Sequence, residues 1–219
     1  MLSCIVLSYA KTLVERSMTD DCLRTLREAA GRNPLDVCVV ETNSELKKEI
    51  DPFGPGTYAI YPDQPFHFNR FLQAGWKNLE RADNPFVAVL NNDLLFEPGS
   101  IPKLIEGLGK FDSVSPFAPG FHPEYLTKEA PYFQGHGVRQ ELVGWALFFR
   151  RSVLDKVPFE RLFPADFGAW FSDNWYAHQL QRHGLTHALV TGARVKHLGS
   201  RSRHLVPPEQ ASQWSEAEG

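Results

Sequence analysis

Three short, continuous apolar runs decide what this chain can fold into: residues 4–7 (CIVL), 37–40 (VCVV) and 86–90 (FVAVL). Each is rich in β-branched residues and lacks polar alternation, so the strand it forms must be covered on both faces, as in a parallel sheet with helices on either side. Between the first two, Met18, Cys22, Leu26 and Ala29 recur at helical spacing, with Ser17 or Thr19 available as a cap and Gly31 just past the end. That is a βαβ unit. A second helix is expected over residues 68–79, with Phe68, Phe71, Leu72, Gly75, Trp76 and Leu79 on one stripe, and a third from about Ser100, carrying Ile101, Leu104, Ile105 and Leu108. Strand and helix alternate through the first half, which predicts an open, doubly wound α/β fold in a single domain.

The second half is less regular. Residues 113–137, SVSPFAPGFHPEYLTKEAPYFQGHG, are dense in Pro, Gly and aromatics and read as loop or irregular sheet. Residues 145–149 suit another strand, and 173–183 a helix with Ser172 as N-cap and Gly184 as its stop. The domain is expected over residues 1–206, with a polar tail over 207–219.

Charge and targeting signals narrow the function classes. A formal net charge of −3 gives no global pull toward nucleic acid or anionic membrane. The N-terminal apolar run is too short for a signal h-region and has no basic residues before it. No run approaches the roughly 20 apolar residues that span a bilayer. Cys4, Cys22 and Cys38 lack metal-type pair spacing and suit buried, reduced thiols. The expectation is a soluble cytoplasmic protein without stable membrane insertion.

In open α/β sheets ligands bind beyond the carboxyl ends of the strands. Here those ends carry Ser8 and Tyr9, then Glu41, Thr42 and Asn43, then Asn91, Asn92 and Asp93. The SYAKT that follows the first strand is neither G-x-G-x-x-G nor a P-loop, which speaks against a dinucleotide cofactor and against a nucleotidyltransferase.

Six segments in order, IVLSYAKT, VCVVETNS, VLNNDLLFEPGSIPKLIEGL, GWALFFRRSVLDKV, WFSDNWYAHQLQRHG and ARVKHLGSRS, resemble those of the GT-A glycosyltransferases, most closely the family 2 group that uses nucleotide-diphosphate sugars. The resemblance implies a GT-A-like, mostly parallel central sheet and transfer of a sugar, from a UDP-sugar in the first instance, to a hydroxyl acceptor, most naturally a glycan. It assigns Ser8, Tyr9, Glu41, Asn43, Asn91 and Asn92 to the nucleotide, Gly144 and Trp145 to the sugar and acceptor pocket, and Asp93 with His197 to a divalent metal. Mn²⁺ or Mg²⁺ prefers hard oxygen ligands and takes few of them from the protein, and imidazole favours Mn²⁺. Arg201, with Arg194, Lys196 and Arg203, could close over the diphosphate.

Inverting transfer needs a base for the acceptor hydroxyl, and Asp173 is the candidate, at a helix start where the macrodipole favours a carboxylate. Asn91, Ser172 and Trp175 stand where the family has acids, leaving Asp93 and Asp173 as the carboxylates of their motifs. A non-catalytic nucleotide-sugar binder would carry the same losses. The same chemistry on a hydroxylated base in viral DNA would set the Arg and Lys cluster from Arg194 to Arg203, with Arg150, Arg151 and Arg182, against phosphates and be steeply salt-dependent. A zinc site from His178, His183 and His187 lacks the usual ligand spacing.

Overall fold

The apolar run that opens the chain becomes a strand flanked on both sides by parallel neighbours. The structure is a computed structural model and describes residues 1–48, 52–167 and 172–199. Trp170, Phe171, Arg201, Arg203 and the expected tail over 207–219 lie outside the described residues. β1 (Leu2–Ser8) is buried along its whole length and pairs in parallel with β2 (Leu35–Glu41) on one side and β4 (Phe86–Asn91) on the other, while β3 (Thr57–Ile60) extends the sheet beyond β2.

α1 (Leu13–Ala30) connects β1 to β2, and α2 (Phe68–Leu79) leads from β3 into β4. With strand order β3-β2-β1-β4, the chain steps away from β1 in one direction and then passes back across it. Right-handed crossovers of opposite sense put the two helices on opposite faces. The core divides accordingly: Cys22 and Leu26 pack with Cys4, Val6 and Val39, whereas Phe71, Leu72 and Trp76 pack with Ile5, Val40 and Val89. Alternate residues of each strand serve alternate faces, which is why the runs show no polar alternation.

α1 starts earlier than its apolar stripe suggests. Thr12, not Ser17 or Thr19, is its cap: Thr12 Oγ1 accepts from Glu15 N at 3.2 Å and the Glu15 carboxylate accepts from Thr12 N at 2.9 Å. Leu13 and Val14 in that first turn are exposed, so they add nothing to the buried stripe. α2 spans the expected residues, and its Gly75 has a packing reason: a Cβ there would lie 2.6 Å from Ile5 Cγ2, so only a bare backbone lets the helix approach β1 this closely.

The remaining elements are β5 (Leu94–Phe96), α3 (Ser100–Leu108), β6 (Ser113–Phe117), the single turn α4 (Leu126–Glu129), β7 (Tyr132–Gln134), β8 (Ala146–Arg150), the short α5 (Val153–Lys156) and α6 (Phe159–Leu162), α7 (Ser172–Arg182) and β9 (His187–His197). The sheet continues from β4 as β8-β6-β9-β5, with β7 also on β9; β8 is antiparallel to β4 and β6, and β9 runs parallel to β6. Among the described residues no helix is long and apolar enough to cross a membrane.

The largest departure from the sequence reading is β6, which lies inside the sheet with all five residues buried, in a stretch expected to be loop or irregular sheet. Its serines replace the expected apolar signal because their hydroxyls are bonded inside the core. Ser113 Oγ meets His187 Nδ1 at 2.9 Å and Tyr176 Oη at 2.8 Å, and Ser115 Oγ accepts from Val143 N at 3.2 Å. Pro116 has no N–H for the ladder. The register with β9 jumps there, from Pro116 opposite Val190 to Phe117 opposite Arg194. The extra residues let the end of β9 reach β5, where His197 stands opposite Leu94.

Candidate functional site

The carboxyl ends of β1, β2, β4 and β9 and the start of antiparallel β8 come to one edge of the sheet, where the strand order reverses between β1 and β4. That is the crevice an open α/β sheet offers to a ligand. Asp93 leaves β4 through Asn91 and Asn92; antiparallel pairing of β5 with β9, continued by the bond from Leu198 N to Asp93 O at 2.9 Å, brings His197 beside it. His197 Nε2 is 3.2 Å from Asp93 Oδ2, and Asp93 is nearly buried. Asp93 Oδ1 is buried without a hydrogen-bond partner. A carboxylate oxygen in that state has lone pairs and no donor to meet them, which suits a cation. The residues present therefore fit a divalent ion held by one carboxylate and one imidazole, with other ligands supplied by substrate and water. Among the described residues no group of three or more His, Cys, Asp and Glu side chains converges, so His178, His183 and His187 form no zinc site.

The nucleoside candidates form a knot around Glu41, which is fully buried. Glu41 Oε1 accepts from Ala10 N at 2.9 Å and from Asn43 N at 2.6 Å, tying the turn after β1 to the end of β2. Asn43 completes the knot by donating from Nδ2 to Ala10 O at 2.8 Å. Glu41 Oε2 has no partner and is the acceptor that remains. Tyr9 is half-buried, with the Lys11 ammonium 4.5 Å from its ring centroid. Ser8 and Asn92 turn toward α1: Ser8 Oγ lies 2.8 Å from Thr19 Oγ1, and Asn92 Nδ2 donates to that same hydroxyl at 2.9 Å. These two side chains hold the β1–α1 junction to β4. Asn91 continues the alternation of Val87 and Val89, and its N–H bonds Trp145 O at 2.9 Å.

Gly144 and Trp145 precede β8 and separate two groups. The Trp145 ring stacks on His197 at 4.8 Å and 18°. On Gly144, a Cβ would meet Asp173 Cβ at 2.7 Å, so the carboxylate at the start of α7 packs on the glycine backbone. Asp173 Oδ1 accepts from Asn174 N at 2.9 Å. Ser172 donates to Asn69 Oδ1 at 2.8 Å and so anchors α7 to α2, and Trp175 donates to Arg161 O at 2.8 Å. Neither neighbour competes with Asp173 for the crevice.

Two basic assignments fall elsewhere. Arg150 and Arg151 end β8, and because β8 is antiparallel to β4 they emerge at the opposite edge from Asp93, with Arg150 opposite Phe86. Their guanidinium groups bond backbone carbonyls: Arg150 that of Leu108, Arg151 those of Asn84 at 2.7 Å, Glu80 at 3.0 Å and Leu79 at 3.3 Å. They cap helix ends and lie at the edge away from Asp93. Arg182 closes the last turn of α7, the end away from Asp173. Arg194 is paired with Glu124 at 2.9 Å and Glu97 at 3.5 Å, and its guanidinium lies 5.2 Å from the Phe117 ring. Arg201 lies outside the described residues.

Sequence reasoning missed Phe121, which meets Trp145 edge to face at 6.2 Å. The only sequence signal was its place after Pro119 and Gly120, a turn signature without chemistry.

No family model matches the chain, and no curated protein matches it by sequence. The structure is similar to the crystal structure of GalNAc-T7 with UDP, GalNAc and Mn²⁺, with a TM-score of 0.64 and 11% identity, covering 90% of this chain and 43% of that one. This chain therefore spans less than half the length of the protein it resembles. At this identity the likeness speaks to architecture, and the architecture is a GT-A-like α/β fold with a mostly parallel central sheet flanked by helices.

Proposed function

We propose that this chain is an inverting, metal-dependent glycosyltransferase that moves a sugar from a nucleotide-diphosphate donor, with uridine as the base, to a hydroxyl of a glycan. The observation that carries the reading is the meeting of Asp93 and His197, 3.2 Å apart, at the crevice where the strand order reverses. The UDP and Mn²⁺ in the similar GalNAc-T7 structure support a donor and a metal of this kind, and the order of the six segments supports the family 2 likeness.

In this reading Asp93 and His197 hold Mn²⁺ or Mg²⁺, which when bound offsets the charge of the diphosphate. Glu41 Oε2 accepts from the base or ribose, and Tyr9 covers the nucleoside. Asp173 takes the proton of the acceptor hydroxyl as that oxygen bonds to the anomeric carbon; the bond from that carbon to the diphosphate breaks, and its electron pair leaves with the diphosphate. Asp173 packs on Gly144 and His197 stacks on the adjacent Trp145, which supports a base and a metal pole that are separate groups beside one pocket. A nucleophile and a leaving group on opposite sides of the sugar carbon give inversion.

The test combines melting curves with turnover. UDP-hexoses with Mn²⁺ raise the melting temperature, because a ligand bound only by the native state stabilises it. Asp173→Asn keeps that rise and loses turnover by about 10² or more. Unchanged rates in the variant sink the assignment of the base. A protein that binds the donor but releases no UDP with any acceptor is a nucleotide-sugar binder, a reading favoured by the missing acids at Asn91, Ser172 and Trp175.

A further inference from the structure

The strand order gives the two halves of the crevice different partners. Tyr9, Glu41 and Asn43 stand over β1 and β2, Asp93 and His197 come next beyond β4, and whatever lies farther along that line lies over the ends of β8 and β6. There Phe121 is 42% exposed, on the turn that follows β6. It meets Trp145 edge to face, and Trp145 stacks on His197 in turn.

The turn holds Phe121 in place from both sides. His122 Nδ1 accepts from Ala118 N at 2.9 Å, and the N–H groups of Phe121 and His122 both return to Ala118 O, at 3.1 and 2.9 Å. The His122 ring, nearly buried, packs between Phe117 at 5.3 Å and Phe121 at 5.0 Å. Just beyond, Arg194 fixes Glu124 to β9. A large apolar ring kept in water by a rigid turn, next to the charged pole of a site, gains by being covered when a ligand arrives.

We infer that Phe121, with the edge of Trp145, is the contact for the acceptor, and that the acceptor is an uncharged saccharide. The inference rests on the transferase reading above. The C–H face of a pyranose is the apolar surface that an aromatic ring covers while the hydroxyls stay free for polar partners. Among the described residues the charge around the turn favours a neutral ligand over a polyanion: Arg194 is outnumbered by Glu97 and Glu124, and residues 121–129 carry Glu124 and Glu129 against Lys128. Arg150 and Arg151, two of the cations a DNA acceptor would recruit, emerge at the opposite edge and cap helices, and Arg194, a third, is paired with Glu97 and Glu124. A nucleic-acid acceptor needs free cations for its phosphates.

The experiment uses the full chain with Mn²⁺ and UDP-glucose, UDP-galactose or UDP-N-acetylglucosamine. The acceptor probes are methyl glucoside, methyl galactoside, methyl N-acetylglucosaminide and a hydroxymethylcytosine oligonucleotide. The expected result is transfer to a neutral pyranoside whose KM rises about tenfold in Phe121→Ala, with the donor-induced rise in melting temperature kept, and returns in Phe121→Trp. Saturation-transfer NMR of the same pyranoside with UDP-loaded protein loses its signal in Phe121→Ala. An unchanged KM and NMR signal in Phe121→Ala, or transfer to the oligonucleotide that falls steeply with salt, overturns the inference while leaving the transferase reading intact. If no UDP-sugar raises the melting temperature and no UDP is released, the transferase reading fails and this one with it.

Discussion

Replacing Gly144 by alanine tests the proposed role of Asp173 as base through a single methyl group. The glycine has a backbone conformation open to any L residue, and what constrains it is Asp173: the new Cβ would lie 2.7 Å from Asp173 Cβ, 3.2 Å from Cγ and 3.1 Å from Oδ2. Non-bonded carbons rest about 3.5–4.0 Å apart, so the carboxylate must retreat by about 1 Å. Tyr176 and Leu180 bury the rest of α7, which leaves the first turn and the Asp173 side chain to move. Overpacking of this kind costs about 1–3 kcal/mol, and each of those lowers the melting temperature by about 2–4 °C in a chain of this size. Misplacing a reacting group by 1 Å costs on the order of 10²-fold in rate. Gly144→Ala is therefore expected to melt a few degrees lower, to keep its UDP-sugar thermal shift, and to lose about 10² in kcat, read as UDP release with a saccharide acceptor. Because both changes act on one group, adding Gly144→Ala to Asp173→Asn lowers kcat little further. A Gly144→Ala enzyme within about threefold of the parent kcat, or full additivity in the double variant, refutes the placement of Asp173 as the base.

Two further changes test the scaffold. His187 is buried with Nδ1 on Ser113 Oγ and Nε2 on Glu141 O, and burial holds its imidazole down to about 3. The unfolded chain takes up this proton near pH 6.5, so His187 contributes its full stability above that pH and loses it as pH falls toward 3. Urea unfolding should show the parent losing about 2 kcal/mol more than His187→Gln between pH 7.5 and pH 5, and equal losses would count against this account. Arg151→Met strips three carbonyls at the end of α2 and the loop after it and should cost about 1–3 kcal/mol in urea with donor and acceptor KM unchanged; a change in either KM would count against a purely structural role for Arg151.

The legible parts of this protein are those whose cause is local. β1, β2 and β4 announced themselves because strands covered on both faces are apolar at every position, and α2 because its stripe repeats without interruption. The start of α1 was displaced because its first turn faces water, and β6 was hidden because its polar positions are satisfied by Tyr176 and His187, more than sixty residues away in sequence. The doublet Arg150–Arg151 looked functional because charge is visible in a sequence and strand direction is not.

The same division runs through the site. Sequence alone put Asp93, Glu41 and Tyr9 just past strands whose burial makes them parallel, and parallel strands share an edge. Only the family resemblance paired Asp93 with His197; the strand pattern could not, because the contact depends on Pro116 breaking the β6–β9 ladder so that β9 reaches β5. Nor could it set Asp173 against Gly144 or Phe121 against Trp145, contacts between segments that pack without sharing a hydrogen-bonded register. Periodicity records which face of an element is covered, whereas the partner that covers it is chosen only when the whole sheet closes.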